Sequence, residues 1–106
     1  MLVVNRFRVP LEEGDTFRSA LDDALAALAA RPGHLGGTVG RNLDDPTLWV
    51  LTTRWEHVGA YRRALSAYDV KLRAVPLLGR AVDEPSAYEV VEPGTVLNAA
   101  STRSIP

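Results

Sequence analysis

The hydrophobic pattern is most continuous over residues 47–68, where a predicted strand leads directly into a predicted helix. Leu48–Leu51 are four consecutive apolar residues, and β-formers continue as far as Trp55. Consecutive apolar residues are typical of a strand that is buried on both faces. After Glu56, apolar residues recur at helical spacing and predict an amphipathic helix from about His57 through Tyr68. Its predicted buried stripe is Tyr61, Leu65, Tyr68 and Leu72.

The residues before this unit predict a strand, a helix and a second strand. Residues 2–9 alternate and end at Pro10, so Val3, Asn5 and Phe7 share one face with Val9. A helix follows from about Asp15 to Arg31 and stops at Pro32-Gly33. Residues 34–43 form a glycine-rich strand. The predicted buried stripe of the helix is Phe17, Leu21, Ala24, Leu25 and Leu28.

The complete order of predicted elements is β-α-β-β-α-β. Residues 77–85 read as a loop and residues 86–92 as the last strand. This order is the ferredoxin-like α+β arrangement, a four-stranded antiparallel sheet with the first and third strands central and both helices on one face. Residues 1–93 form the predicted domain, and residues 94–106, which lack an apolar period, form a C-terminal tail or arm.

The same pattern predicts a homodimer. Leu2, Val4, Leu48 and Val50 point away from the face that the helices cover. An uncovered apolar face of this size is rare in a soluble monomer. We therefore expect a second copy to pack sheet against sheet.

Composition removes several classes of function. The net charge is −1 with acids and bases interspersed, which gives no basis for binding nucleic acid or an anionic membrane. The chain has no cysteine, so disulfides, thiolate metal sites and cysteine nucleophiles are excluded. No stretch resembles a signal peptide or a membrane span, and we expect a cytoplasmic protein.

Three short motifs resemble one known family. They are Pro32-Gly33-His34-Leu35 after the first helix, Trp55-Glu56 at a strand end, and Ala60-Tyr61 in the next helix. They resemble the antibiotic biosynthesis monooxygenase family of the dimeric α+β barrel superfamily, over about residues 2–92. The resemblance implies a homodimeric barrel with a pocket between sheet and helices in each subunit. It also implies oxygenation of an aromatic phenol or quinol by O₂ without metal or flavin, the deprotonated substrate supplying the electron.

That chemistry requires a hydrogen-bond donor, aromatic side chains and an apolar wall. Asn5 is the candidate donor, because an amide on a core strand is costly without a partner. Trp55 and Tyr61 complete the predicted catalytic set. The predicted substrate-binding residues are Phe7, Trp49, Leu65 and Tyr68. Each of these aromatic residues can equally be explained as core packing.

Two alternatives to the oxygenase can be considered, and the sequence disfavours the first of them. A haem-degrading branch of the family shares the strand Asn but also has a helix Trp and a haem-ligating His, and Ala64 and Arg73 or Ala74 occupy those positions here. Haem degradation is therefore disfavoured, and no cofactor or metal is predicted. His57 is expected near the start of a helix, not at a metal. The second alternative is a non-catalytic dimeric barrel that binds a small ligand.

Overall fold

A computed structural model describes residues 1–97 and confirms the predicted α+β, ferredoxin-like arrangement. The sheet has four antiparallel strands in the order β2-β3-β1-β4, so the first and third strands are central as predicted. The strands are β1 (Leu2–Arg8), β2 (His34–Arg41), β3 (Leu48–Trp55) and β4 (Ala87–Tyr88). The helices are a 3-10 turn (Leu11–Glu13), α1 (Gly14–Ala29), α2 (Val58–Ser66), α3 (Tyr68–Arg73) and α4 (Val75–Leu78).

The two central strands alternate between a buried and a half-buried face. Asn5 pairs with Leu51 and Phe7 with Trp49, and all four are buried on the face that the helices cover. Their neighbours on the opposite face are half-buried or, at Arg6, Arg8 and Arg54, exposed within one chain. The burial on both faces that the sequence predicts for β3 is therefore not reached by a single chain, because all the helices lie on one side. The half-buried residues are Leu2, Val4, Leu48, Val50 and Thr52.

Helix α1 packs on the sheet much as its apolar stripe predicts. Phe17, Leu21, Ala24 and Leu28 are buried, and Ala27 is buried where Leu25 was expected. Leu25 lies at the margin, over Gly37 of β2, where a Cβ on the glycine would overlap the leucine Cδ1 atom. The absence of a side chain at residue 37 thus lets this half of the helix approach the sheet closely.

The second helical region is broken, which makes the predicted stripe wrong beyond Leu65. Ala67 has an extended ψ of 139° and separates α2 from α3. The break resets the helical phase, so Tyr68 is 79% exposed and Leu72 is 61% exposed. The separate helix α4 then extends to Leu78, two residues into the segment 77–85 for which the sequence predicts a loop. The residues that fill the core in their place are Val70, Ala74 and Leu77.

The start of α2 agrees with the sequence prediction, whereas the length of β4 does not. His57 caps α2, its Nδ1 atom accepting a hydrogen bond from the Ala60 backbone N–H at 3.1 Å, which confirms its predicted place. The last strand is much shorter than the predicted 86–92, since only Ala87–Tyr88 pair with β1. Residues 94–97 are exposed without regular structure, and the rest of the predicted tail, 98–106, lies outside the described residues.

Candidate functional site

The Trp55 side chain lies in a closed cluster at the end of β3. It is 0% exposed, and its indole Nε1–H donates a hydrogen bond to the Thr53 hydroxyl at 2.9 Å. The His34 ring stands edge-on to it at 5.0 Å between centroids, and the Tyr61 ring lies at 5.5 Å. Trp55 therefore has its one polar group satisfied inside the core.

Tyr61 brings a phenol into the same cluster from helix α2. The residue is 4% exposed, and this burial raises the pKa of its phenol. Tyr61 is therefore protonated at neutral pH and is suited to donating a hydrogen bond, not to removing a proton.

Asn5 is the buried amide in the middle of β1. It is 9% exposed, and its side chain makes none of the side-chain hydrogen bonds found within residues 1–97. It lines a cleft of about 320 Å³ that opens between β1 and residues 78–86. We call this the Asn5 cleft. A carboxamide that lines a cleft without a protein partner is available to a ligand.

The cleft exists because residues 82–86 touch β1 at two points and leave the strand between them. The Val82 N–H donates to the Arg6 carbonyl at 2.7 Å, and the Val4 N–H donates to the Ser86 carbonyl at 2.7 Å. At the rim, the Arg6 guanidinium makes two hydrogen bonds to Glu84, at 2.6 and 2.7 Å. This pairing lowers the pKa of the Glu84 carboxyl, so the rim pair is ionised at neutral pH.

Trp49 lies at the opposite end of β3 from Trp55 and borders a second cleft of about 540 Å³. Its ring packs edge-on against Phe17 at 5.8 Å, and the Arg41 guanidinium lies over it at 5.4 Å. Trp49 is 7% exposed, yet its indole Nε1–H is buried without a hydrogen-bond partner in residues 1–97. We call this the Trp49 cleft.

The structure thus distributes the seven predicted site residues over several places. Asn5 and Trp49 line separate clefts, whereas Trp55 and Tyr61 line neither of these two. Phe7 is 1% exposed and fills the core beside Phe17. Of the remaining two predicted residues, Leu65 is half-buried and Tyr68 is exposed, and neither lines these clefts.

Sequence reasoning missed the residues that form the outer wall of the Asn5 cleft. Leu78, Val82 and Glu84 come from a stretch without hydrophobic period, which was read as a loop. The ion pair between Arg6 and Glu84 joins residues 78 positions apart, and no local pattern in the sequence marks it.

The comparison with family models identifies the protein family of this chain. The model of the antibiotic biosynthesis monooxygenase family matches residues 1–71. The chain belongs to this family. A comparison with curated proteins finds no match.

Solved structures support the same assignment. SnoaB, a cofactor-independent oxygenase from Streptomyces nogalater, is 26% identical, with 86% of this chain and 92% of SnoaB covered at a TM-score of 0.71. A Deinococcus radiodurans protein named after this monooxygenase family is 21% identical, with coverages of 92% and 100% and a TM-score of 0.70. A conserved protein from Methanosarcina mazei Go1 is 19% identical, with coverages of 81% and 84% and a TM-score of 0.66. The last two likenesses concern the fold.

Residues 1–97 lack the features of two other classes of protein, those that hold a metal ion in a carboxylate or histidine cluster and those that cross a membrane by a helix. Within that range, no group of three or more His, Cys, Asp or Glu side chains is placed to hold a metal ion. No helix in the same range is long and apolar enough to cross a membrane.

Proposed function

We propose that this protein is a cofactor-independent monooxygenase that oxygenates an aromatic phenol or quinol at the Asn5 cleft. The observation that carries the proposal is Asn5 itself, a buried carboxamide without a protein partner that lines an open cleft. Membership of the monooxygenase family and the likeness to SnoaB, at 26% identity, support the reaction type.

The chemistry assigned to Asn5 is stabilisation of a substrate oxyanion. A phenol that loses its proton becomes electron-rich enough to reduce O₂, and the negative charge rests on its oxygen. The Asn5 N–H₂ group donates a hydrogen bond to that oxygen, beside the apolar Leu78, Ala81 and Val82 of the cleft lining. One oxygen atom of O₂ then enters the substrate and the other leaves as water, with the hydrogens and electrons coming from the substrate.

The sequence predicts Trp55 and Tyr61 as catalytic residues, but in this proposal they do not contact the substrate. Both are buried in the cluster at the end of β3, and the Trp55 donor is already bonded to Thr53. We therefore assign the substrate contact to Asn5 and assign the two aromatic residues to packing that holds the sheet and α2 together.

The proposed active form is a homodimer. The support is the sheet face away from the helices, where Leu2, Val4, Leu48 and Val50 are half-buried and the arginines of the same face lie exposed. Light scattering should give about twice the 11.5 kDa chain mass. Val50→Asp should yield insoluble or unfolded protein, because an unpaired charge would be buried between the sheets. A stable wild-type monomer would contradict the dimer.

Oxygen uptake tests the catalytic proposal. The purified protein, without added metal or flavin, is given a panel of anthrones and hydroquinones in an oxygen-electrode assay. We expect Asn5→Ala to slow turnover by roughly 10²-fold or more, since one oxyanion donor is lost. Asn42→Ala is the matched control, because Asn42 bonds the backbone of a turn remote from the cleft. Full activity in Asn5→Ala would remove Asn5 from the mechanism.

A non-catalytic ligand-binding barrel is the second candidate, and the filled core at Trp55 and Tyr61 favours it. If Asn5 is only a buried polar residue, Asn5→Leu should leave stability unchanged or raise it, because an unpartnered amide is removed. Ligands that bind to the Asn5 cleft and are recovered unchanged would support this candidate over the oxygenase.

A further inference from the structure

The Trp49 cleft lies between one polar stripe of α1 and the edge of the sheet. Gly14, Asp15, Arg18 and Asp22 follow one another at helical spacing and form its helical side. Arg41 of β2 and Trp49 of β3 are directly opposite in the strand register and form its floor. Because β2 is an edge strand, this cleft opens to solvent along the sheet margin.

The Trp49 indole, which lines this space, carries an unpaired donor. Its Nε1–H has no hydrogen-bond partner in residues 1–97 although the side chain is 93% buried, that is, 7% exposed. Leaving a buried donor unpaired is unfavourable. Indole N–H groups usually find a partner when they are buried, which makes an acceptor from outside the chain the natural completion.

Gly14 keeps the space beside that donor open. A Cβ at Gly14 would lie 3.9 Å from the Trp49 Cζ2 atom, which is on the same edge of the indole as Nε1. Gly14 has ordinary helical angles, φ −56° and ψ −47°, so its backbone conformation does not require glycine. The consequence of glycine at this position is therefore room at the indole edge.

Charged side chains of both signs line the same cleft. Glu12, Asp15 and Asp22 line the helical side, and Arg18 and Arg41 are the cations. None of these five takes part in the salt bridges found among residues 1–97. Three carboxylates against two guanidinium groups disfavour a simple anion, while Arg41 beside the indole disfavours a simple cation.

We propose that the Trp49 cleft binds a small zwitterion with an apolar body, of the α-amino-acid type. Its carboxylate accepts hydrogen bonds from the Trp49 indole and the Arg41 guanidinium. Its ammonium group faces the carboxylates of Asp15 and Asp22. Its apolar body lies against Leu11 and Val39, which complete the lining. This site is separate from the Asn5 cleft and does not depend on oxygenase activity.

Nuclear magnetic resonance of the two indole N–H groups tests the proposal directly, because the chain has two tryptophans. The full chain is labelled with ¹⁵N-tryptophan, and Trp49→Phe assigns the signals. Three probes are titrated: L-phenylalanine, 3-phenylpropionate, which lacks the ammonium, and phenethylamine, which lacks the carboxylate. We expect L-phenylalanine to shift the Trp49 signal saturably while the Trp55 signal stays in place, and the two half-analogues to bind more weakly.

A pair of charge variants locates the ammonium contact. Asp22→Asn should raise the dissociation constant of L-phenylalanine by about two- to fivefold, as expected for a partly exposed ion pair. Asp44→Asn removes a carboxylate from the turn before β3 and should leave it unchanged. Gly14→Leu should abolish the shift while the Trp55 signal reports an intact fold. The proposal is overturned if the Trp49 signal does not respond to L-phenylalanine. It is also overturned if the only change in that signal is exchange of the indole proton with water.

Discussion

The two tryptophans of β3 lie on the same face of the same strand, and their surroundings differ completely. Trp55 is covered by α2, touches His34 and Tyr61, and donates its N–H to Thr53 at 2.9 Å. Trp49 is almost as buried, but its N–H has no partner in residues 1–97 and it borders an open cleft. Six residues, or roughly 20 Å of strand, separate them.

The difference shows that the burial of an aromatic side chain and the hydrogen bonding of its polar group are distinct properties. Both rings contribute apolar area to the core, as large aromatic residues generally do. Only the Trp55 indole also has its N–H bonded inside the protein, although the Nε2 atom of the neighbouring His34 is buried without a partner in residues 1–97. The Trp49 end is well packed and chemically incomplete, which is the combination that binding sites require.

Truncation of Trp55 should produce the largest effect. We expect Trp55→Ala to lower the free energy of unfolding by about 3–5 kcal/mol, because a fully buried indole leaves a cavity among rigid neighbours. Urea denaturation followed by circular dichroism measures this loss. A loss below about 1 kcal/mol would mean that the Trp55 cluster is not the closed end of the molecule.

Replacing each tryptophan by phenylalanine isolates the polar groups and should have a smaller, unequal effect. Trp55→Phe leaves the Thr53 hydroxyl without its donor and should cost about 1–3 kcal/mol. Trp49→Phe also loses packing area, but it removes a donor that has no partner, which is favourable. The free energy of unfolding should therefore change by no more than about 1 kcal/mol. Denaturation of both variants with unchanged m-values makes the comparison valid. Equal losses would show that the two donors are equally satisfied.

The smallest effect is a pH dependence confined to the Trp55 end. Burial and then the charge of Arg54 lower the pKa of His34 in the folded chain. Between that pKa and the unfolded value of about 6.5, the unfolded chain binds more protons, so stability is lost as the pH falls through this range. His34→Phe should therefore show a shallower fall in Tm from about pH 7.5 to 5.5, with His57 present in both proteins. The same slope in both would contradict a role for His34.

Much of the fold could be predicted because the relevant signals are local. The alternation of residues 2–9 and the apolar stripe of α1 follow directly from period. The order of elements then leaves few topologies, and the observed strand order is the expected one. Asn5 was found as a candidate because an amide on a core strand stands out in any sequence.

The rest depended on tertiary packing that no local pattern encodes. Ala67 is a good helix former, yet its extended backbone breaks the helix and turns Tyr68 outward. The alternative apolar spacing at Val70, Ala74 and Leu77 was present in the sequence but needed the break to become the buried face. Trp49 and Trp55 could not be told apart, since their difference lies in what α1 and α2 cover.

Gly37 sets how closely the C-terminal half of α1 lies over β2. This half of the helix contacts the glycine through Leu25, while the N-terminal half borders the Trp49 cleft. A larger residue at position 37 would displace the Leu25 side chain, whose Cδ1 atom would overlap the added Cβ. A residue that lines neither cleft can therefore alter the packing of the helix that borders one of them.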